Sequence, residues 1–309
     1  MKIAFVFPGQ GSQTVGMLAG FAGNPVVEQT LARASAALGQ DLAGLIANGP
    51  AEQLNLTTNT QPVMLAASVA FHEAWKAAGG PAPALVAGHS LGEYAALVAA
   101  EALSLEDAVR LVRIRADAMQ SAVPVGQGGM AAIIGLDDDA VRAVCAAAAQ
   151  GQVVEAVNYN APSQVVIAGH KEAVERACEG AKQAGAKRAL PLPVSAPFHS
   201  RLMEPASLKL AEALAAIPVQ SPKIPVINNV DVAFPQEPAL IRDALVRQAW
   251  HPVRWVETIQ TMKAQGVTHV VECGPGKVLT GLTKRIEGEL AGLSILDQAS
   301  LDATLAALS

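Results

Sequence analysis

Ala84-Leu85-Val86-Ala87-Gly88-His89-Ser90-Leu91-Gly92-Glu93-Tyr94-Ala95-Ala96-Leu97-Val98 changes character twice within 15 residues. The four apolar residues at its start read as a short strand buried on both faces, and the run from Glu93 onward begins a helix. Between them Gly88-His89-Ser90-Leu91-Gly92 fits the pattern G-x-S-x-G, which places Ser90 on a strand–turn–helix elbow. The flanking glycines let the backbone bend and leave room around the hydroxyl. The helix N-terminus then directs N–H groups at any anion formed there. The plainer reading is a tight strand-to-helix turn with an incidental serine.

Outward from the elbow, residues 3–7 and 267–272 are further apolar runs that end in Gly-containing turns. Their alternation with longer amphipathic stretches predicts an α/β protein with a parallel sheet and a ligand site at the C-terminal strand ends. The middle of the chain has its own order. After Gly126-Gln127-Gly128-Gly129 come a strand (130–135), a helix opened by Asp137-Asp138-Asp139 and running to 149, and strands at 153–158 and 165–168. A helix over 171–184 and a strand at 187–192 complete β-α-β-β-α-β, the ferredoxin-like unit. Glycines before it and Pro191, Pro193 and Pro197 after it mark the limits of an inserted small domain, 127–196, within a large one, 1–126 and 197–309. A cleft between the two is the expected ligand site.

Composition narrows the class. Of 309 residues 51% are apolar, enough for a substantial core, and the net charge of −5 argues against nucleic acid or an anionic membrane as partner. Cys145, Cys178 and Cys273 make neither a CxxC pair nor a metal-ligand spacing and read as buried hydrophobes in a reducing compartment. The N-terminal apolar run is too short for a signal peptide and no stretch can span a bilayer, so the expected location is the cytoplasm.

A serine needs a base to become a nucleophile. Of six histidines, His89 adjoins Ser90 and should point away from it, His72 with Glu73 and Lys76 reads as surface, His170 lies in a strand-to-helix link, and His269 lies in a strand. His199, in Ser195-Ala196-Pro197-Phe198-His199-Ser200, lies where the chain re-enters the large domain. His251, before Pro252, remains an alternative on spacing alone. The helix over 105–122 sets Glu106, Arg110, Arg113, Asp117 and Gln120 on one solvated face, yet Arg115 falls among Ala108, Leu111, Val112, Ala118 and Met119 on the other. A guanidinium there must meet an anion, either a carboxylate of the protein or one on the substrate.

Phe5-Val6-Phe7-Pro8-Gly9-Gln10-Gly11-Ser12-Gln13, Gly88-His89-Ser90-Leu91-Gly92-Glu93, Arg115, Pro197-Phe198-His199-Ser200 and Gly274-Pro275-Gly276, in this order over nearly the whole chain, resemble the malonyl-CoA:acyl carrier protein transacylases. The resemblance implies an α/β-hydrolase-like large domain with a ferredoxin-like insertion. It implies Ser90 as the acylated nucleophile, His199 as base and acid, and Arg115 as partner of the malonyl carboxylate. Backbone N–H groups of Gln10 and Leu91 would form the oxyanion hole, and the main-chain carbonyl of Gln248 would orient the base. His89 and Phe198 match acyl-pocket positions, with Met119 a further substrate-binding candidate on the Arg115 stripe.

The activity so implied is ping-pong transfer of malonyl from malonyl-CoA to the phosphopantetheine thiol of acyl carrier protein, for fatty acid biosynthesis. No metal or permanent cofactor is expected, CoA is the product, and the chain is read as a monomer. Rival readings are an acyltransferase serving a polyketide synthase, a serine thioesterase or hydrolase, and a non-catalytic carrier-protein scaffold. Gly274-Pro275-Gly276-Lys277 lacks P-loop spacing and reads as a tight turn beneath the site. Lys182, Lys187 and Arg188 either meet an acidic carrier protein or are ordinary solvated charges.

Overall fold

A computed structural model describes residues 1–194 and 196–308. Five parallel strands form the first sheet, in the order β7-β2-β1-β8-β9. β1 (Ile3–Phe7) is central and buried throughout, which is why its sequence is continuously apolar rather than alternating. It pairs with β2 (Leu85–Gly88), Phe7 opposite Gly88, and with β8 (His269–Cys273). The outer members, β7 (Val226–Ile227) and β9 (Ala291–Ile295), were not legible in the sequence. β7 is too short to show a pattern, and β9 is mostly exposed or half-buried.

The second sheet is antiparallel, ordered β4-β5-β3-β6, with β3 (Gly128–Ile134), β4 (Val154–Ala161), β5 (Gln164–His170) and β6 (Arg188–Pro191). Together with helices Asp138–Ala149 and Lys171–Gln183 these elements follow the β-α-β-β-α-β order within two or three residues of the expected bounds. Both helices cover one face, where Ile133, Val141, Cys145, Val165, Ile167 and Ala177 make a core. The other face carries Met130, Val157, Val166 and Ala168, and Phe198 packs against it. β4 is tied to the segment that precedes helix Trp255–Ala264: Val253 donates to Val157 O at 2.9 Å and its own carbonyl accepts from Tyr159 N–H at 3.0 Å.

Helix Thr57–Ala77 corrects the reading of His72. Its buried residues cover all sides, so the helix runs through the core rather than along the surface. His72 is 2% exposed, packs edge-on against Phe5 and Phe7, and places Nδ1 3.7 Å from the half-buried Glu73. The three cysteines are free and buried, with burial pushing the Cys145 thiol up to about 12, as inert hydrophobes require. Lys182 is an exposed residue paired with Glu179 at 2.6 Å. Among the described residues no helix is long and apolar enough to cross a membrane.

Candidate active site

Ser90 sits where β2 gives way to helix Gly92–Ala99, in the left-handed region at φ 51°. Such a conformation in a residue with a side chain costs on the order of 1–3 kcal/mol and persists only where the surroundings enforce it. Here they do. A Cβ on Gly88 would lie 1.8 Å from the Gly92 carbonyl carbon, and one on Gly92 would lie 2.0 Å from Phe7 O. Only glycine lets the two arms of the elbow and β1 close this tightly. Two side chains then clamp the serine peptide groups: Asn229 Oδ1 accepts from Ser90 N–H at 2.7 Å, and Gln248 Nε2 donates to Ser90 O at 2.9 Å. Asn229 also donates through Nδ2 to Gly88 O at 2.7 Å.

The histidine question has a geometric answer. Ser90 Oγ lies 2.6 Å from His199 Nε2, and His199 Nδ1 lies 2.8 Å from Gln248 O. A carbonyl only accepts, so Nδ1 carries the proton and Nε2 is free to accept from the serine. His199 is itself left-handed, at φ 64°. Burial, reinforced by the positive charge of Arg115, holds its imidazole down at about 3. His251 instead uses Nδ1 on Arg247 O at 2.9 Å and packs on Trp250, away from the hydroxyl. Of the segment preceding His199, Ser195 lies outside the described residues.

Arg115 comes to the same point. Its Nη2 is 3.2 Å from Ser90 Oγ and 2.9 Å from Gln248 Oε1, and its Nη1 donates to Gln61 Oε1 at 2.8 Å. The guanidinium also lies 5.5 Å from the Tyr94 ring centroid. Among the described residues no carboxylate pairs with it directly, and its Nε has no hydrogen-bond partner. A buried cation served by amides, a hydroxyl and a ring face is suited to pair with an anion.

A cavity of about 100 Å³ joins these groups; Gln10, Gln61, His89, Ser90, Leu91, Arg115, Asn158, Val194, Phe198 and His199 line it. Gln10 is held by its side chain, whose Oε1 accepts from Thr57 Oγ1 at 2.9 Å. Among the described residues neither Gln10 N–H nor Leu91 N–H has a protein acceptor. His89 faces Asn160 Oδ1 at 2.8 Å and Trp255, and burial lowers its pKa. Met119 is displaced from expectation: it does not line the cavity but lies in the core behind it, with Sδ 3.9 Å from Gln61 Nε2. The 274–276 turn packs on the loop after β1, where a Cβ on Gly274 would meet Pro8 at 2.6 Å.

A family model for the acyl transferase domain matches residues 4–290. The malonyl CoA-acyl carrier protein transacylase of Salmonella typhimurium is 59% identical over 305 residues, 98% of this chain and 99% of the relative. The chain belongs to the malonyl-CoA:acyl carrier protein transacylase family. Solved members superpose closely. An acyl-carrier-protein S-malonyltransferase from Burkholderia pseudomallei is 67% identical, with TM-score 0.98 over 99% of this chain and all of its own. A malonyl-transacylase solved in complex with a type II PKS acyl-carrier protein is 55% identical, with TM-score 0.98 and coverage of 99% and 100%.

Within this family frame, the side-chain amides of Gln61, Asn229 and Gln248 carried no readable signal in the sequence, and Glu93 stood only as the last residue of the elbow motif. Glu93 is buried at the start of the elbow helix, and its Oε2 accepts from Asn229 N–H at 2.9 Å and Gln248 Nε2 at 3.0 Å. Amides have no periodicity and no charge that must be explained, so only the fold gathers them. The nearest hint was Asn228-Asn229 directly after the short buried pair Val226-Ile227, at the C-terminal end of a strand of the parallel sheet.

Proposed function

We propose that this transacylase carries malonyl from malonyl-CoA to the phosphopantetheine thiol of acyl carrier protein as an ester on Ser90. His199 Nε2 takes the hydroxyl proton as Oγ attacks the thioester carbonyl. Gln248 O holds the other imidazole proton and so fixes the tautomer, in place of the carboxylate of an ordinary triad. The tetrahedral oxyanion is received by the unengaged N–H groups of Gln10 and Leu91, each such donor contributing about 3 kcal/mol. His199 then protonates the CoA sulfur as the carbon–sulfur bond breaks. The carrier thiol reverses the sequence: it attacks the Ser90 ester, gives its proton to His199, and the serine oxygen leaves and recovers that proton.

The observation that carries this reading is Arg115, a buried guanidinium 3.2 Å from the serine oxygen with no carboxylate among the described residues paired directly to it. A malonyl group brings a carboxylate into direct contact with this cation and an acetyl group does not, so the site favours malonyl. His89 and Phe198 flank the acyl group, and Met119 supports Gln61 from behind. No resident cofactor enters these steps. The site is complete within one chain, so a monomer suffices, and the activity belongs in the cytoplasm. The reading divides the chain into a catalytic part, 1–126 and 197–309, and an inserted part, 127–196, whose inner sheet face supplies the wall behind Phe198.

A polyketide pathway is a second reading for the carrier protein, because one relative of 55% identity forms a complex with such a carrier. A hydrolase is disfavoured, since release of free acid has no need of Arg115. The test is steady-state malonyl transfer with both substrates varied. Parallel ping-pong lines are expected, with loss of transfer in Ser90→Ala and a drop of about a thousandfold in His199→Ala. Converging lines, or release of malonate without carrier protein, would overturn the reading.

A further inference from the structure

Glu93 is a charged side chain that the steps above leave unused. It is 2% exposed, and one oxygen receives both of its hydrogen bonds, from Asn229 N–H at 2.9 Å and Gln248 Nε2 at 3.0 Å. The other end of the same Gln248 amide accepts from Arg115 Nη2 at 2.9 Å. A guanidinium, an amide and a carboxylate therefore form one chain. The amide dipole is aligned with its positive end on the carboxylate and its negative end on the guanidinium. Among the described residues neither Glu93 nor Arg115 has a direct ion-pair partner.

We propose that Glu93 is the buried counter-charge of Arg115, relayed through Gln248, and so sets how strongly the site prefers an acyl group that carries a carboxylate. This rests on the reading of Arg115 as the malonyl anchor. With Glu93 ionised, an arriving carboxylate meets a cation already compensated, and two anions share one guanidinium. With Glu93 neutral, Arg115 has its whole charge to give. Glu93 acts through Gln248 and Arg115, so it is a positioning residue and touches no reacting atom.

The surroundings favour a tunable carboxylate. Burial pushes Glu93 up to about 7, Asp231 adds to the rise, and Gln248, Asn229 and Arg115 oppose it. Of the elements packed on its helix, β1 and β2 contain no ionisable residue before His269 of β8 is reached. Helix Thr57–Ala77 offers only His72, Glu73 and Lys76, the last two paired at 3.2 Å. Helix Leu105–Ala122 offers Arg115 as its buried charge. Asp231 is tied to Arg247 at 2.8 Å, His199 stays neutral above about 3, and Tyr94, next to Glu93, is driven upward by burial. Glu93 is thus a buried carboxylate placed to change charge near neutrality.

The experiment compares the kcat/KM ratio for loading from malonyl-CoA and acetyl-CoA between pH 6 and 8.5, in the wild type and in Glu93→Gln, whose amide oxygen can accept the same two hydrogen bonds. In the wild type the ratio is expected to fall about five- to tenfold as pH rises and Glu93 ionises. In Glu93→Gln it should stay at the low-pH value throughout, with an unchanged melting temperature. A merely structural role moves stability and leaves both ratios flat, and flat wild-type ratios overturn the proposal even if the variant fails to fold. Wild-type protein must first show a malonyl ester absent from Ser90→Ala. Without that ester the proposed function itself fails; with it, a flat ratio removes only the role of Glu93.

Discussion

Two groups compete for the Ser90 oxygen: His199 Nε2 at 2.6 Å draws its proton, and Arg115 Nη2 at 3.2 Å donates to it. When a malonyl carboxylate arrives, the guanidinium has a stronger acceptor and the hydroxyl is left to the base. Arg115→Ala should therefore lower malonyl-CoA loading by about a hundredfold or more and raise the relative use of acetyl-CoA, measured by competing the two thioesters. Unchanged selectivity would give the arginine a structural role only. The depressed pKa of His199 sets a second expectation. A histidine that stays neutral to about 3 keeps its catalytic state well below the usual 6.5, so single-turnover loading at saturating donor should not lose rate at pH 6.5. The same shift acts on stability. The unfolded chain binds this proton below 6.5 and the folded chain does not until about 3, so stability contributed above 6.5 is lost as pH falls through that window. His199→Ala should flatten part of that acid limb in denaturant titrations.

At the scale of elements, the elbow is held from two sides. Gly92→Ala would drive a methyl group to 2.0 Å from Phe7 O, and the strand and helix must separate to admit it. A loss of several kcal/mol in denaturant unfolding is expected, with loading nearly abolished. Asn229→Ala removes the acceptor of Ser90 N–H and the donor to Gly88 O. The serine peptide should relax, and loading should fall with a smaller loss of stability. The elbow was readable because its cause is local: an apolar run, two glycines and a helix start lie within 15 residues. Arg115 was readable because a cation on the apolar stripe of a helix breaks a period. His199 was only one of two candidates by spacing, since its approach to Ser90 depends on where a loop re-enters the fold. His72 was misread because local polarity says nothing about a helix buried on every side. The Gln61, Asn229 and Gln248 amides were missed because tertiary packing alone brings them together.

Over the whole molecule, one sheet supplies the proposed nucleophile and the other supplies a wall. Ser90 stands at the C-terminal end of β2, while the inner face of the antiparallel sheet meets Phe198 beside His199. The backbone bonds between Val253 and β4 hold that strand on either side of Asn158, which lines the cavity. A cavity of about 100 Å³ adjoins the serine, lined by His89, Val194 and Phe198, and the proposed ester waits there for its acceptor. That waiting ester is the central claim. Intact-protein mass spectrometry after brief exposure to malonyl-CoA, with no carrier protein present, should show a single malonyl adduct that maps to Ser90. It should disappear on addition of holo carrier protein as the carrier gains the same mass. Malonyl transfer to the carrier with Ser90 never acylated would contradict the account.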